Sequence, residues 1–240
     1  MKIVKAYWEK RNIKKNCLEI TVEENDTHEN VLKKLKLVKA DYKVIKIPTN
    51  NVKLLFALQK RGFLFIELDT KCLYSGELPK LNKIQKKILS NLRYEKMLAP
   101  DKKKLENELN KNLFLTDRVS LDPEFSKSIG NKRYKGWIKD EVKKKSILYK
   151  MIYKKNDCGF FILKKIDKKN FYAPLGGIYE KYQNLGFGFF LNYFEIIETQ
   201  KLGGVNTMTA FSSNNLGASS IHYSLGYKIH DQKYVLVKHE

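Results

Sequence analysis

Apolar and polar residues alternate from Cys17 to Glu23, the period-two pattern of a half-buried strand. Asp26-Thr27 can cap a helix running through Leu37, with Val31, Leu32 and Leu35 on one face. Tyr42 to Ile47 reads as a second strand, ended by Pro48. Thr49 to Lys60 then supplies an amphipathic helix (Val52, Leu54, Leu55, Leu58) stopped at Gly62. Phe63 to Tyr74 returns as a long alternating strand. This β-α-β-α-β order predicts a small sheet with helices packed on it. It contains no metal-spaced histidines, no phosphate loop and no nucleophile–base pair. Ser75 to Asn91 is Lys-rich and weakly patterned, and reads as a linker between a unit of residues 1–85 and one of residues 86–240.

The second unit begins with a strand, Leu92 to Leu98, and a polar helix opening at Pro100-Asp101. A helix around Lys132 to Lys145 and strands at Ser146–Tyr153 and Cys158–Ile166 follow. The connection Lys154-Lys155-Asn156-Asp157 has hairpin chemistry. Phe171 to Tyr179 is the next strand, with a bulge expected at Gly176-Gly177. An apolar helix from Phe189, a strand at Val205–Ser212, another helix after Asn215, and a closing hairpin from Tyr227 through Tyr234 to Val237 complete the chain. No internal repeat is present.

Composition limits the choices. The chain has 240 residues, 42% of them hydrophobic and 12% aromatic, enough for a packed core. Lys and Arg outnumber Asp and Glu by 47 to 26, a net charge of +21 that attracts polyanions. The charge is mostly Lys spread through every segment, as codon bias alone would produce, so it names no partner. Cys17, Cys72 and Cys158 are odd in number without C-x-x-C spacing, which points away from a disulfide framework or a zinc site. No metal is expected. The first residues lack the apolar core of a signal peptide, and no apolar run has the length of a membrane span. A cytoplasmic protein without membrane insertion is expected.

The most informative segment is Gln183-Asn184-Leu185-Gly186-Phe187-Gly188, followed by an apolar helix (Phe189, Phe190, Leu191, Phe194, Ile197). A Gly-containing turn that opens a helix gathers backbone N–H groups at the positive end of the dipole, where a phosphate binds. The segment resembles the pyrophosphate loop of the GNAT (Gcn5-related) N-acetyltransferases, Gln/Arg-x-x-Gly-x-Gly/Ala. Further on, Asn215, Ala218, Gly226 and Tyr227 fall in register with that family's Asn-x-x-Ala-x-x-x-Tyr-x-x-x-Gly-Phe/Tyr. The resemblance implies an α/β fold: a small α/β N-terminal domain, then a GNAT domain with a mixed, mostly antiparallel central sheet. It also implies acetyl-CoA or another short acyl-CoA as co-substrate, held by Gln183, Asn184, Leu185, Gly186, Phe187 and Gly188. Ala218 would let the pantetheine arm pass and Asn215 would hydrogen-bond its amide. The family's proton-donating tyrosine belongs at the position of His222, with Tyr223 one residue on; either His222 replaces it or Tyr223 reaches the sulfur. Histidine titrates near neutrality, which makes His222 the favoured acid. Backbone N–H groups near Gly177 and Ile178 would stabilise the oxyanion. Glu180 is the nearest carboxylate by sequence for a base.

The order of weaker motifs resembles the TDP-fucosamine acetyltransferase group: Leu58-Gln59-Lys60-Arg61-Gly62-Phe63, the Asp117–Phe125 loop and Tyr134-Lys135-Gly136-Trp137-Ile138. That resemblance implies a nucleotide-linked amino-dideoxy sugar as acceptor, contacted by Arg118, Tyr134 and Trp137, in a monomer or homodimer. A GNAT acting on a peptide or protein amine is the rival. A nucleic-acid-binding protein with an inactive GNAT fold is the third reading. It has only charge and aromatics behind it, so no nucleic-acid partner is expected.

Overall fold

The computed structural model describes residues 1–111 and 113–240. The chain opens with an edge strand β1 (Lys2–Lys5) and a short helix α1 (Tyr7–Ile13), then β2 (Cys17–Thr21). The Thr27 hydroxyl accepts from the Asn30 N–H and starts α2 (His28–Leu37). β3 (Tyr42–Pro48) and α3 (Val52–Gln59), capped by Asn51, lead to the long β4 (Leu64–Ser75). Within the expected linker a further helix forms, α4 (Lys83–Leu89). Asn82 and Gln85 close a reciprocal capping box around its first turn, each bond 2.9 Å.

Then come β5 (Leu92–Lys96), α5 (Ala99–Leu109), α6 (Lys127–Lys143) and the hairpin β6 (Ile147–Tyr153)–β7 (Asn156–Lys165). Lys154 and Lys155 both take positive φ, as a two-residue turn between twisted strands requires. The expected Phe171–Tyr179 strand is two pieces, β8 (Asn170–Ala173) and β9 (Gly176–Ile178). The break falls at Pro174-Leu175 and not at Gly176-Gly177, whose pairing with β7 is regular. Proline has no N–H to continue the ladder. α7 (Phe187–Lys201), β10 (Asn206–Ser212), α8 (Leu216–Leu225) and β11 (Lys228–His239) complete the chain.

The strands form one mixed sheet in the order β1-β2-β3-β11-β4-β10-β8-β7-β6-β5, with β9 also on β7. Pairings β2–β3 and β8–β10 are parallel and the others described are antiparallel. One expectation changes here. The chain end is one long strand instead of a hairpin, because β4 already lies beside β10 and offers β11 its other edge. Residue 85 lies inside α4, and the sheet draws strands from both sides of it: β4 pairs with β10 and β11, and β11 also pairs with β3. The two halves of the sequence therefore share one sheet.

β7 is buried on both faces. Phe160 and Ile162 pack toward α5 and α6, while Phe161 and Leu163 pack toward α7. α2 and α3 cover β2 and β3 through Val31, Leu54 and Leu58 on Ile20, Ile45 and Ile47. On the opposite side Val119 and Phe125, from the loop before α6, join Tyr42, Val44 and Val235. α1 lies against α6. No described helix is long and apolar enough to cross a membrane.

Candidate functional site

Pairing between β8 and β10 runs from Asn206 to Thr209 and then stops at Pro174. Beyond that point β10 continues through Ala210, Phe211 and Ser212 against β4 alone. β9 meanwhile stays on β7, so the sheet opens between β9 and β10. Backbone groups facing that opening have no strand partner there, and an extended ligand carrying amides can supply one. A cavity of about 1150 Å³ fills the opening and extends under α1 and α6.

One end of the cavity is the start of α7. Gly186 caps that helix with φ 74°, a conformation closed to most side chains, and space is open around its Cα. The first turn holds no acidic residue, and the loop from Gln183 to Gly186 is exposed. Free N–H groups, the positive end of a dipole and an open approach fit a diphosphate. A Cβ at Gly188 would stand 2.8 Å from Ile221 Cδ1, so the small residue also lets α7 and α8 meet.

Gly177, Ile178, Gln183, Asn184, Gly186, Phe187, Gly188, Asn215, Ala218 and His222 all line this cavity, as do Arg118, Tyr134 and Trp137. Leu185, Glu180 and Tyr223 do not. Leu185 is 50% exposed and Tyr223 47% exposed. Tyr223 is turned away because one residue is about 100° on a helix. Glu180 is exposed on the one-turn 3-10 helix that leaves β9. Asn215 Oδ1 accepts from the Ala218 N–H at 3.0 Å and caps α8.

His222 is buried, stacked on Phe211 with the Tyr227 ring edge against it. Its Nδ1 lies 2.6 Å from the Ala218 carbonyl oxygen. A carbonyl only accepts, so Nδ1 carries the hydrogen and Nε2 is left with a lone pair. Nε2 is buried without a partner. Burial pushes the imidazole pKa down, against the smaller opposing effect of the Ala218 carbonyl. The resting ring is therefore neutral, with the Nε2 lone pair unpartnered.

The other end of the cavity is strongly charged and internally paired. Glu9, on α1, accepts from Arg118 Nη2 at 2.7 Å and from Arg133 Nε at 2.8 Å. Arg118 also lies 3.5 Å from Glu19, and its Nε is buried without a partner. The Tyr134 hydroxyl bonds to Asp117, and its ring stacks near Trp137 at 6.1 Å. Burial works to raise the Asp117 pKa, but the Arg133 charge and the Ser120 hydroxyl hold it below the usual range. Burial raises the Glu67 carboxyl. Glu19, Glu67, Asp69 and Asp117 thus share this wall. They come from β2, β4 and the loop before α6, so no local motif announced them.

Sequence reading also missed Glu195, inside α7. That helix is apolar nearly all round (FGFFLNYFEII), so a carboxylate in its middle had to be buried. It is 2% exposed and lines the same cavity. The three cysteines are free, and burial pushes each thiol up to about 12, so none is a thiolate nucleophile at neutral pH.

No protein-family model matches the sequence, and no curated protein matches it. Solved structures do share its architecture. A functionally unknown conserved protein from Staphylococcus epidermidis superposes with a TM-score of 0.64 at 12% identity, covering 94% of this chain and 85% of that one. A GCN5-related N-acetyltransferase from Sphaerobacter thermophilus gives 0.60 at 9% identity, covering 99% of this chain and 75% of that one. A GCN5-related N-acetyltransferase from Kribbella flavida gives 0.56 at 10% identity, covering 93% and 81%. At such identities the likeness concerns architecture, and it agrees with the opened sheet and the glycine-capped helix: the chain has the fold of the GCN5-related N-acetyltransferases.

Proposed function

We propose that this protein is an enzyme transferring an acetyl or other short acyl group from acyl-CoA to an amine. The observation that carries the reading is the opening between β9 and β10, continuous with the exposed glycine-capped start of α7. The diphosphate belongs on the α7 N–H groups and the pantetheine arm along the unpaired edge of β9. The Ile178 N–H, on the edge of β9 away from β7, then faces the thioester carbonyl. The amine arrives from the Trp137 end, and His222 Nε2 takes its proton. Holding both partners in one enclosed cavity supplies much of the rate.

The finer reading is an amine on a nucleotide-linked amino-dideoxy sugar. It rests on the resemblance of the Asp117–Phe125 loop and on the position of Tyr134 and Trp137 on the wall. Since Arg118 is paired with Glu9 and Glu19, and Arg11 with Asp140, the sugar diphosphate in this reading meets Lys143, a cavity-lining residue that remains exposed. Thiol release from acetyl-CoA should appear with dTDP- or UDP-linked amino sugars, with product masses confirming the acyl adduct. Release with peptide amines alone would transfer the reading to a protein acceptor. Retention on DNA or RNA that falls steeply with salt, with no thiol release from any amine, would favour a binding role.

Gly186→Val tests the diphosphate site. A β-branched residue at φ 74° is strained. Stability should fall by about 1–2 kcal/mol. The acetyl-CoA dissociation constant should rise about tenfold or more by calorimetric titration, since the loop must move to relieve the strain.

A further inference from the structure

Acyl transfer as described leaves one enclosed group on the cavity wall without a task. Glu195 is 2% exposed, and its Oε2 is buried with no hydrogen-bond partner. Interior polar atoms are nearly always satisfied, so an orphaned carboxyl oxygen on a cavity wall marks a place that a ligand completes. Its position is close to the opening: a Cβ added at Gly176 would stand 3.4 Å from Glu195 Oε1, which puts the carboxyl against β9, the strand that faces the thioester. Thr209, the last residue of β10 paired with β8, lines the same cavity.

Nothing charged stabilises an ionised Glu195. Among the described residues it forms no salt bridge, and the titratable groups that face it are the Cys72 thiol of β4 and the Tyr227 phenol just ahead of β11. Burial holds both of those in their neutral forms. His222 of α8 is on the same cavity wall, with its own unpartnered atom, Nε2.

Resting on the acyl-transfer reading, we propose that Glu195 is a further catalytic residue, a carboxylic acid that gives its proton to the departing CoA sulfur while His222 Nε2 takes the proton of the attacking amine. As the amine nitrogen bonds to the acyl carbon, the carbon–sulfur bond breaks. Nitrogen loses one proton to His222 and sulfur gains one from Glu195. The imidazolium and carboxylate left behind exchange a proton through solvent. The net change is one proton moved from nitrogen to sulfur, with free CoA thiol and amide as products. The environments agree with these roles: burial raises the Glu195 pKa to about 8 and lowers that of His222. At neutral pH the acid therefore holds a proton and the base lacks one. Two titratable groups driven apart in one site are a recurring sign of an acid–base pair.

Glu195→Gln keeps the shape and neutrality of the protonated side chain but has no acidic proton. With the amine that gives turnover, kcat should fall about 100-fold while KM for acyl-CoA changes little. The wild-type kcat should decline as pH rises through about 8, and the variant should lack that limb. Wild-type kcat in the variant, or an unchanged alkaline limb, overturns the proposal. A second measurement needs no acceptor: the infrared carbonyl band of the buried acid, present in wild type at pH 7 and missing in the variant, should shift when acetyl-CoA is added. Calorimetric binding of acetyl-CoA with an unmoved band sinks the Glu195 role alone. Failure of the wild type to bind acetyl-CoA at all sinks the acyl-transfer reading and this role with it.

Discussion

Glu9→Ala should lower the free energy of unfolding by about 3–5 kcal/mol, seen as a lower urea midpoint at constant m-value. Glu9 is 1% exposed and holds two guanidiniums at once, Arg118 at 2.7 Å and Arg133 at 2.8 Å. Its removal leaves Arg118 with only the longer contact to Glu19, and Arg133 with only Asp117 at 3.4 Å. Arg118 Nε already lacks a partner, so the site has no spare acceptor to offer. Enclosed charges stripped of a partner account for the size of the loss, which far exceeds that of an exposed pair. Glu9→Gln, which keeps an acceptor oxygen and loses the charge, should fall between the two. Exposed Lys111–Glu108 is the contrasting case: Lys111→Ala should leave the midpoint almost unmoved. A loss below about 1 kcal/mol for Glu9→Ala would mean that water replaces the carboxylate and that the wall of the cavity is softer than its packing shows.

That network explains why part of the fold was illegible. α1 has no apolar stripe to announce it: Glu9 and Asn12 are two of its three buried residues, Glu9 satisfied by Arg118 and Arg133 more than a hundred residues away and Asn12 by the Trp8 carbonyl. β1 is an exposed edge whose buried periodicity is too weak to read. The helices and strands that were legible carry their signals locally, as in the Thr27 cap, the Lys154-Lys155 turn and the glycine at the start of α7. Strand partners are another matter. The alternation in β4 marks a strand but does not say that its neighbours are β10 and β11, more than a hundred residues on. The continuous sheet was hidden for that reason.

The same contrast holds in the cavity. Of the residues singled out in the two contiguous motifs, Gln183, Asn184, Gly186, Phe187, Gly188, Asn215, Ala218 and His222 reach it and Leu185 does not. The acceptor end is built from single residues of α1, β2, β4, the loop before α6 and α6 itself, and only Arg118, Tyr134 and Trp137 were picked out there. Charge misled in a related way. The chain is strongly cationic as a whole, yet carboxylates and cations are nearly balanced on the cavity wall, because most lysines lie on exposed helix and strand faces. Net charge therefore steers polyanions toward the molecule without describing what its interior selects.

His222→Ala should lower kcat by about 100- to 10,000-fold with little change in acetyl-CoA affinity, whereas Tyr223→Phe should stay near wild type. The difference follows from their positions one residue apart on α8. His222 lines the cavity with its Nε2 lone pair unpartnered, while Tyr223 is 47% exposed and off the wall. His222→Gln is the control for packing: it fills more of the space and can still donate to the Ala218 carbonyl, but it cannot titrate. It should therefore be as inactive as alanine if proton transfer is what matters. The pH profile carries the sign. Burial lowers the imidazole pKa, so the neutral, proton-accepting form persists below the usual histidine range near 6.5. Wild-type kcat should hold through pH 6.5 and decline only at lower pH, and both His222 variants should lose that acid limb. A full loss in Tyr223→Phe with activity kept in His222→Gln would reverse the assignment, and would require α8 to rotate when acyl-CoA binds.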